Sequence, residues 1–342
     1  MVNINKITEK YIHDKLFPGA CILFGNKNGE VYKAKFGKID EQNEVEYNTA
    51  YDLASLTKVV GTLPAILLLL AYGEIDLEDK INKYLPVKWK DITILNLLTH
   101  TSGIPPYSLA YNYLKNEELI EDIYKTEFLQ VPNYEIKYSC LNFILLKKIV
   151  DIITGNHIKF VTENVYKPLK MNDTLYSPGN NQNNIAPTSI RNGKRLLGMP
   201  DDELAYYIGG VSGNAGLFST IIDLSKYCKE ILSPNIVFSK SIVEMSRKNW
   251  TKNIQGSPDK GLGWSLFNSQ SPCGPAFSKE SFGHTGFTGT FIWIDPTKEV
   301  YTIILTNKCF YKRHEGIEDM WNFRRKISTN LLWAYERGEL NA

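Results

Sequence analysis

Apolar residues recur at helical spacing from the start of the chain, where Ile4, Ile7, Tyr11 and Ile12 predict an amphipathic surface helix. The segment GACILFGNKNGEVYKAKFG (19–37) changes to alternation. Two alternating runs flank Asn28-Gly29, a pair suited to a type I′ turn, and predict a β-hairpin. The stretch DLASLTKVVGTLPAILLLLAYGE (52–74) is almost wholly apolar from Val59 to Tyr72, which predicts a buried helix. From about Leu77 to Leu232 the signals are mostly helical, in ITILNLLTH, NEELIEDIYK, CLNFILLKKIVDII, HIKFVTENVYKPL and TIIDLSKYCKEIL. Asn, Pro and Gly between Ser177 and Ser219 predict long surface loops with short strands. The strand period returns in GLGWSLF, and GTFIWIDPTKEVYTIILTN predicts two strands around a Pro-Thr turn. The final segment, IEDMWNFRRKISTNLLWAYERG, reads as an amphipathic helix closed by glycine.

This order predicts an α+β fold of three layers, α/β/α: an antiparallel sheet built from both chain ends, with helices on its faces. Residues 1–76 and 235–342 would form the sheet lobe and residues 77–234 a mostly helical inserted lobe. A catalytic cleft would lie between them, the whole making one structural domain. With 342 residues the chain has ample core for this, and its 43% hydrophobic and 22% charged residues are ordinary for a globular protein. Lys plus Arg number 39 against 37 Asp plus Glu, and no basic stretch is interleaved with aromatics, so a nucleic-acid partner is not expected. A small molecule or short peptide is. The 59–72 run is too short for a bilayer and contains Gly61 and Pro64, which predicts a core helix and not a membrane span. MVNINKITEKYIHDKLFPGA lacks an apolar leader core and a small-residue cleavage site, so the chain as written is expected to be cytoplasmic, with a trimmed leader as the alternative. The 5 cysteines are scattered without C-x-x-C spacing, which predicts neither a zinc site nor a disulfide framework.

Chemistry enters where the apolar helix opens on Ser55-Leu56-Thr57-Lys58. Residues three apart share a helical face, so Lys58 can reach Ser55. A serine hydroxyl needs a base to become a nucleophile, and a lysine serves if burial lowers its pKa. A helix N-terminus adds free N–H groups suited to a developing oxyanion. The bland alternative is an N-cap serine with a lysine that snorkels to water. A second Ser-x-x-Lys, Ser257 to Lys260 in GSPDKG, contains Pro, sits between glycines and reads as a loop without a role. Tyr138 in YSCLNFILLKKIV stands just before an apolar helix, where its phenol can enter a cleft and exchange protons with a nearby lysine. His284-Thr285-Gly286 falls at the expected start of a strand, where the glycine would let a substrate backbone approach an edge.

In chain order these segments resemble the motifs of the penicillin-recognising serine hydrolases, in particular the class C β-lactamase-like branch. S-x-x-K corresponds to Ser55–Lys58, Y-x-N to Tyr138-Ser139-Cys140, and K/H-T-G to His284-Thr285-Gly286. FPGACILFG, AYDLASLTKV, LLTHTSGIPPY and GNAGLFSTIIDLSKY are similar to the same branch, so the resemblance spans nearly the whole chain. It implies the β-lactamase/DD-peptidase-like fold and an acyl-enzyme mechanism, without metal or organic cofactor. Ser55 would be acylated, Lys58 and Tyr138 would share proton transfers, and the N–H groups of Ser55 and Phe287 would form the oxyanion hole. His284, Thr285 and Gly286 would contact the substrate's polar end.

The chain departs from the pattern at Cys140, where the family carries an Asn that binds an acyl side-chain amide. A thiol substitutes poorly for a carboxamide, which argues against β-lactam recognition and for a packing role. His284 replaces the Lys common in β-lactamases. An ordinary histidine titrates near ~6.5, so His284 would hold a substrate carboxylate only while charged. Ser212-Gly213-Asn214 also fits an S-x-N motif, and Ser212 and Asn214 are expected to shape the cleft wall. Asp202-Glu203 reads as a solvated acidic pair, and His100 as a structural histidine at a helix end. Three readings follow: an amidase or peptidase acting on cell-wall fragments, a carboxylesterase with weak β-lactamase activity, or a non-catalytic muropeptide or penicillin sensor.

Overall fold

Period-two patterning runs through a sheet whose central strands are buried on both faces. Strand β1 (Gly19–Asn26) sends Ala20, Ile22 and Phe24 into one apolar cluster and Cys21 and Leu23 into another. Strands β10 (Phe291–Asp295) and β11 (Val300–Thr306) divide likewise, with Phe291, Trp293 and Ile304 on one side and Ile292, Ile294, Ile303 and Leu305 on the other. With β2 (Gly29–Gly37), β8 (Ser265–Leu266) and β9 (Phe282–Thr285) they form one antiparallel sheet, in the order β2-β1-β11-β10-β9-β8. Helices α1 (Ile4–His13) and α10 (Ile317–Glu336) pack together over the first face, burying Tyr11, Phe323, Ile327 and Leu331. The computed structural model describes residues 4–179 and 184–340, so residues 180–183 of the expected loop region lie outside it.

The second face meets the helical elements. These are α2 (Leu63–Tyr72), α3 (Ile94–Leu98), α4 (Asn116–Tyr124), α5 (Cys140–Thr154) and α6 (His157–Val161), then α7 (Glu203–Tyr207), α8 (Ile221–Leu232) and α9 (Lys240–Arg247). Although α8 falls within the 77–234 span, it packs directly on β1 and β11. Short strands complete the fold: β3 (Tyr51–Asp52), β7 (Leu217–Ser219) and β4 (Leu175–Tyr176) form one small sheet, and β5 (Ile190–Arg191) pairs with β6 (Lys194–Arg195). All five cysteines are unpaired and buried.

The hairpin turns one residue earlier than expected. The Asn26 carboxamide oxygen accepts from the N–H groups of Asn28 and Gly29 at 2.8 and 3.2 Å, which places the bend at Lys27-Asn28. Only Gly29 needs a positive φ, +146°, so the type I′ geometry does not form.

The apolar run after Asp52 is helical but not one regular α-helix. Ala54–Leu56 is a 3₁₀ turn, Lys58–Thr62 is a π turn, and α2 follows. A π turn upsets the regular backbone ladder, and here buried side chains meet the carbonyls it leaves. The hydroxyls of Tyr227 and Tyr166 donate to the carbonyls of Val59 and Val60 at 2.6 and 3.2 Å, and His157 Nε2 meets that of Gly61 at 3.2 Å. The whole run, Ala54–Tyr72, is long and apolar enough to cross a membrane, yet 83% of its most apolar window is buried inside the protein.

Candidate active site

Ser55 owes its position to a strained entry. Ala54 takes φ +46°, a left-handed conformation costly for a residue with a side chain. The buried Asp52 carboxylate holds it there, accepting from the N–H of Ala54 at 2.8 Å and of Asp201 at 2.7 Å. Burial pushes the Asp52 pKa up to about 7, although these donors pull it down.

The π turn directs Lys58 back onto Ser55. The Lys58 side chain is fully buried and its three N–H donors each have an acceptor: Ser55 Oγ at 3.0 Å, the Asn214 carbonyl at 3.1 Å and Cys140 Sγ at 3.7 Å. The lowered pKa expected from sequence does not result. Burial pushes the ammonium down, but the acidic groups of Cys140 and Tyr138 beside it push it further up, and the net direction is upward. Tyr138 is raised as well, by burial first, with Lys58 opposing. At neutral pH the cleft therefore holds an ammonium next to a neutral phenol.

His100 fixes Tyr138. Its carbonyl accepts from the Lys137 N–H at 2.8 Å and its Nδ1 accepts from the Ser139 N–H at 3.2 Å, so one residue grips the backbone on both sides of the tyrosine. The two ring centroids lie 4.5 Å apart with the planes tilted by 40°. Burial holds the His100 pKa well below the usual histidine value, so the ring stays neutral. It is structural, as expected, and its partner is the candidate catalytic tyrosine.

His284-Thr285 closes β9, where a strand start was expected, and Gly286 lies just beyond. The short neighbour β8 pairs only with Phe282 and Gly283, which leaves the outer edge of His284-Thr285 toward the cleft. Gly286 is required by the protein's own packing: a Cβ there would overlap Thr290 Oγ1 and the Leu53 carbonyl oxygen. Thr288 and Thr290 donate to the carbonyls of Asp52 and Leu53 at 2.7 and 2.9 Å, and Arg324 Nη2 donates to those of Gly286 and Thr290. These bonds strap the Gly286–Thr290 turn to the segment that presents Ser55. Among the described residues, the Phe287 N–H donates no backbone hydrogen bond. Gly286→Ala is expected to destabilise the fold by about 1–3 kcal/mol through overpacking and to slow acylation; denaturant midpoints and burst kinetics measure both.

A charged His284 is not what the structure provides. Its Nδ1 donates to the Thr285 carbonyl at 2.9 Å, leaving Nε2 with a lone pair. Burial, with Lys58 and Lys260 nearby, holds its pKa well below the ordinary value. At neutral pH His284 can accept a hydrogen bond but cannot hold a carboxylate by charge.

Cys140, given a packing role, and Ser212 and Asn214, expected to shape the cleft wall, lie behind the cleft surface. Cys140, Ser212 and Asn214 are 8%, 1% and 0% exposed. Ser212 donates to Asn214 Oδ1 at 2.7 Å, and Asn214 Nδ2 donates to Asp202 Oδ1 at 3.0 Å, so this set supports Lys58. Nor is Asp202-Glu203 a solvated pair: Asp202 caps α7, and Glu203 meets Arg313 at 2.6 Å.

The cleft, ≈ 560 Å³, is lined by Ser55, Tyr138 and the His284–Phe287 segment, with Ile317, Met320 and Trp321 forming an apolar wall. It also contains cations that sequence reasoning passed over: Lys260, dismissed as part of a loop, with Lys308 and Arg324. Only the place of Lys260 directly before the GLGWSLF strand signal hinted at it.

A model of the Beta-lactamase family matches residues 4–319. The chain belongs to the beta-lactamase family. It is 30% identical over 341 residues to an N-acetylmuramyl-L-alanine amidase of Bacillus subtilis (strain 168), covering 85% of this chain and 77% of the relative. The structure of an octameric penicillin-binding protein homologue from Pyrococcus abyssi has the same fold, with TM-score 0.77 and 22% identity over 98% of this chain and 77% of that one. A simvastatin synthase from Aspergillus terreus matches with TM-score 0.77 and 19% identity over 98% of each chain. As a beta-lactamase-family protein the chain is a serine hydrolase of amide or ester bonds.

Proposed function

We propose that Ser55 is the nucleophile of an acyl-enzyme hydrolase whose substrates are short, cell-wall-derived peptides. The observation that carries this reading is the Lys58 ammonium donating to Ser55 Oγ at 3.0 Å, with the Tyr138 ring 4.9 Å from the same nitrogen. In the reactive form of the site the Lys58–Tyr138 pair has released one proton to water, and Ser55 Oγ bonds to the scissile carbonyl carbon as its own proton fills that vacancy. The oxyanion forms against the N–H groups of Ser55 and Phe287. The C–N or C–O bond then breaks and the pair returns the proton to the leaving nitrogen or oxygen. Water repeats the sequence on the acyl group: its oxygen bonds to the carbonyl carbon, and its proton returns through the pair to Ser55 Oγ. One water is consumed, and an acid and an amine or alcohol are released.

The B. subtilis relative's name supports the peptide substrate class. The apolar wall of Ile317, Met320 and Trp321 favours a second reading, a carboxylesterase. The substitution of Cys140 for a carboxamide argues against efficient β-lactam turnover. The assembled trio supports catalysis over a non-catalytic sensor.

Intact mass spectrometry tests the nucleophile. A fluorophosphonate should add one probe mass to the wild type and none to Ser55→Ala. An unmodified wild type, or equal labelling of the variant, overturns the reading. A panel of muramyl peptides, D-Ala-D-Ala peptides, p-nitrophenyl esters and nitrocefin then ranks the substrates. Nitrocefin should be the poorest, and turnover of it at the rate of a dedicated β-lactamase would overturn that ranking.

A further inference from the structure

Lys260 is a buried cation, 5% exposed, whose side chain lines the cleft. Its backbone is clamped: its N–H donates to Thr251 Oγ1 at 2.8 Å, and its carbonyl accepts from the Trp250 N–H at 3.0 Å. The chain then folds back on itself, with Gly261 N–H on the Trp264 carbonyl and Lys260 bridged to Ser265. The backbone at Lys260 is therefore fixed, and the side chain is buried. Its Nζ donates to Ser265 Oγ at 2.9 Å and lies 6.0 Å from the Tyr138 ring centre. An ammonium carries three donors, and this contact occupies one.

The cleft offers this cation no counter-charge. No carboxylate lines the cavity among the described residues, and Lys260 forms no ion pair among them. The other lining cations face backbone carbonyls. Lys308 donates to those of Arg313 and Glu315, and Arg324 to those of Gly286 and Thr290. Buried charges are costly unless paired, so an unpaired ammonium in a substrate cleft marks a place for an anion. The neutral His284 cannot supply that charge.

We propose that Lys260 is the substrate-carboxylate anchor of this cleft, so that preferred substrates carry a free carboxylate close to the scissile bond. This rests on the serine-hydrolase reading and deepens it. The mobile anion of the substrate completes the hydrogen bonding that Ser265 begins. Lys58, Tyr138, His100 and His284 are the titratable groups that face Lys260. The two histidines stay neutral through the alkaline range. Lys58 and Tyr138 act on the reaction centre of any substrate, so a ratio between two substrates cancels them.

The test is the ratio of kcat/KM for a short peptide ester with a free terminal carboxylate to that for its carboxamide counterpart. The wild type should prefer the carboxylate. Lys260→Met should reduce the ratio by about 10- to 100-fold, mainly through KM, the size of one charge-assisted hydrogen bond. Lys260→Arg should restore most of it. Burial with Lys58 beside it lowers the Lys260 pKa to about 8, so the wild-type ratio should fall as pH rises through that value and the ammonium is lost. The wild-type pH profile requires no variant to fold. A wild type without the preference, a Lys260→Met ratio within about twofold of wild type, or a flat pH profile overturns the proposal. Fluorophosphonate labelling of Ser55 separates the two readings: labelling without carboxylate preference defeats only the anchor, and absence of labelling defeats the hydrolase itself.

Discussion

Lys58→Arg should lower the rate of Ser55 acylation by about 10³-fold or more. The substitution keeps the charge and discards the ability to give up a proton, because a guanidinium stays protonated at any accessible pH. It also misfits. All three Lys58 donors are engaged, by Ser55, Asn214 and Cys140, in a site with no exposure to water. A planar fork cannot reproduce three diverging N–H bonds in that space. Single-turnover kinetics with a p-nitrophenyl ester measure the acylation step directly. Because the Lys58 pKa is shifted upward, the resting lysine is charged, and two roles compete: a fixed charge that stabilises a tyrosinate, or a carrier that passes the proton on. Loss of several orders of magnitude in Lys58→Arg supports the carrier. Activity within a few-fold of wild type would assign it the fixed-charge role alone.

What the sequence could and could not reveal follows from the range of the forces involved. The order of strands and helices was legible because alternation and helical spacing are local. The sheet joins both chain ends through the pairing of β1 with β11, and the local sign of it was the alternation of Ala20, Ile22 and Phe24 with Cys21 and Leu23. Ser55, Lys58 and Tyr138 were legible as a set because the motifs fall in a fixed chain order, and the cleft brings them together. The finer geometry was not. The π turn at Lys58–Thr62 depends on Tyr166, His157 and Tyr227, which lie about a hundred or more residues away. The small helices α7 and α9 lacked a repeat long enough to register.

Charge states were the least legible. A histidine in an H-T-G motif looks like a titrating cation until burial and its own bond to the Thr285 carbonyl are known. Lys260 looked like a loop residue because Pro258 and the flanking glycines dominate its neighbourhood in sequence. Its significance comes from Ser265, Tyr138 and Lys58, contacts that only the fold creates. Cys140 departs from the motif without leaving the site. Its thiol stays beside Lys58, and the Asn214 carbonyl from a distant loop supplies a stronger acceptor for the same ammonium.

Tyr138→Phe should separate amides from activated esters. The variant keeps the ring that packs against His100, centroids 4.5 Å apart, and removes only the hydroxyl, so the backbone grip of His100 on Lys137 and Ser139 should persist. Burial raises the Tyr138 pKa, so the phenol enters the reaction protonated and can deliver its proton to a departing nitrogen. An amine leaving group must receive a proton as its C–N bond breaks, whereas p-nitrophenolate leaves as a stable anion. Loss of a positioned general acid typically costs ~10²–10⁴-fold. The amide or peptide substrate should lose activity in that range, and the p-nitrophenyl ester about tenfold less than the amide does. Measuring kcat/KM for an amide and ester with the same acyl group isolates the leaving group. Equal losses on both would move Tyr138 from acid to base, acting on Ser55 before the leaving group matters, and would place leaving-group protonation on Lys58 instead.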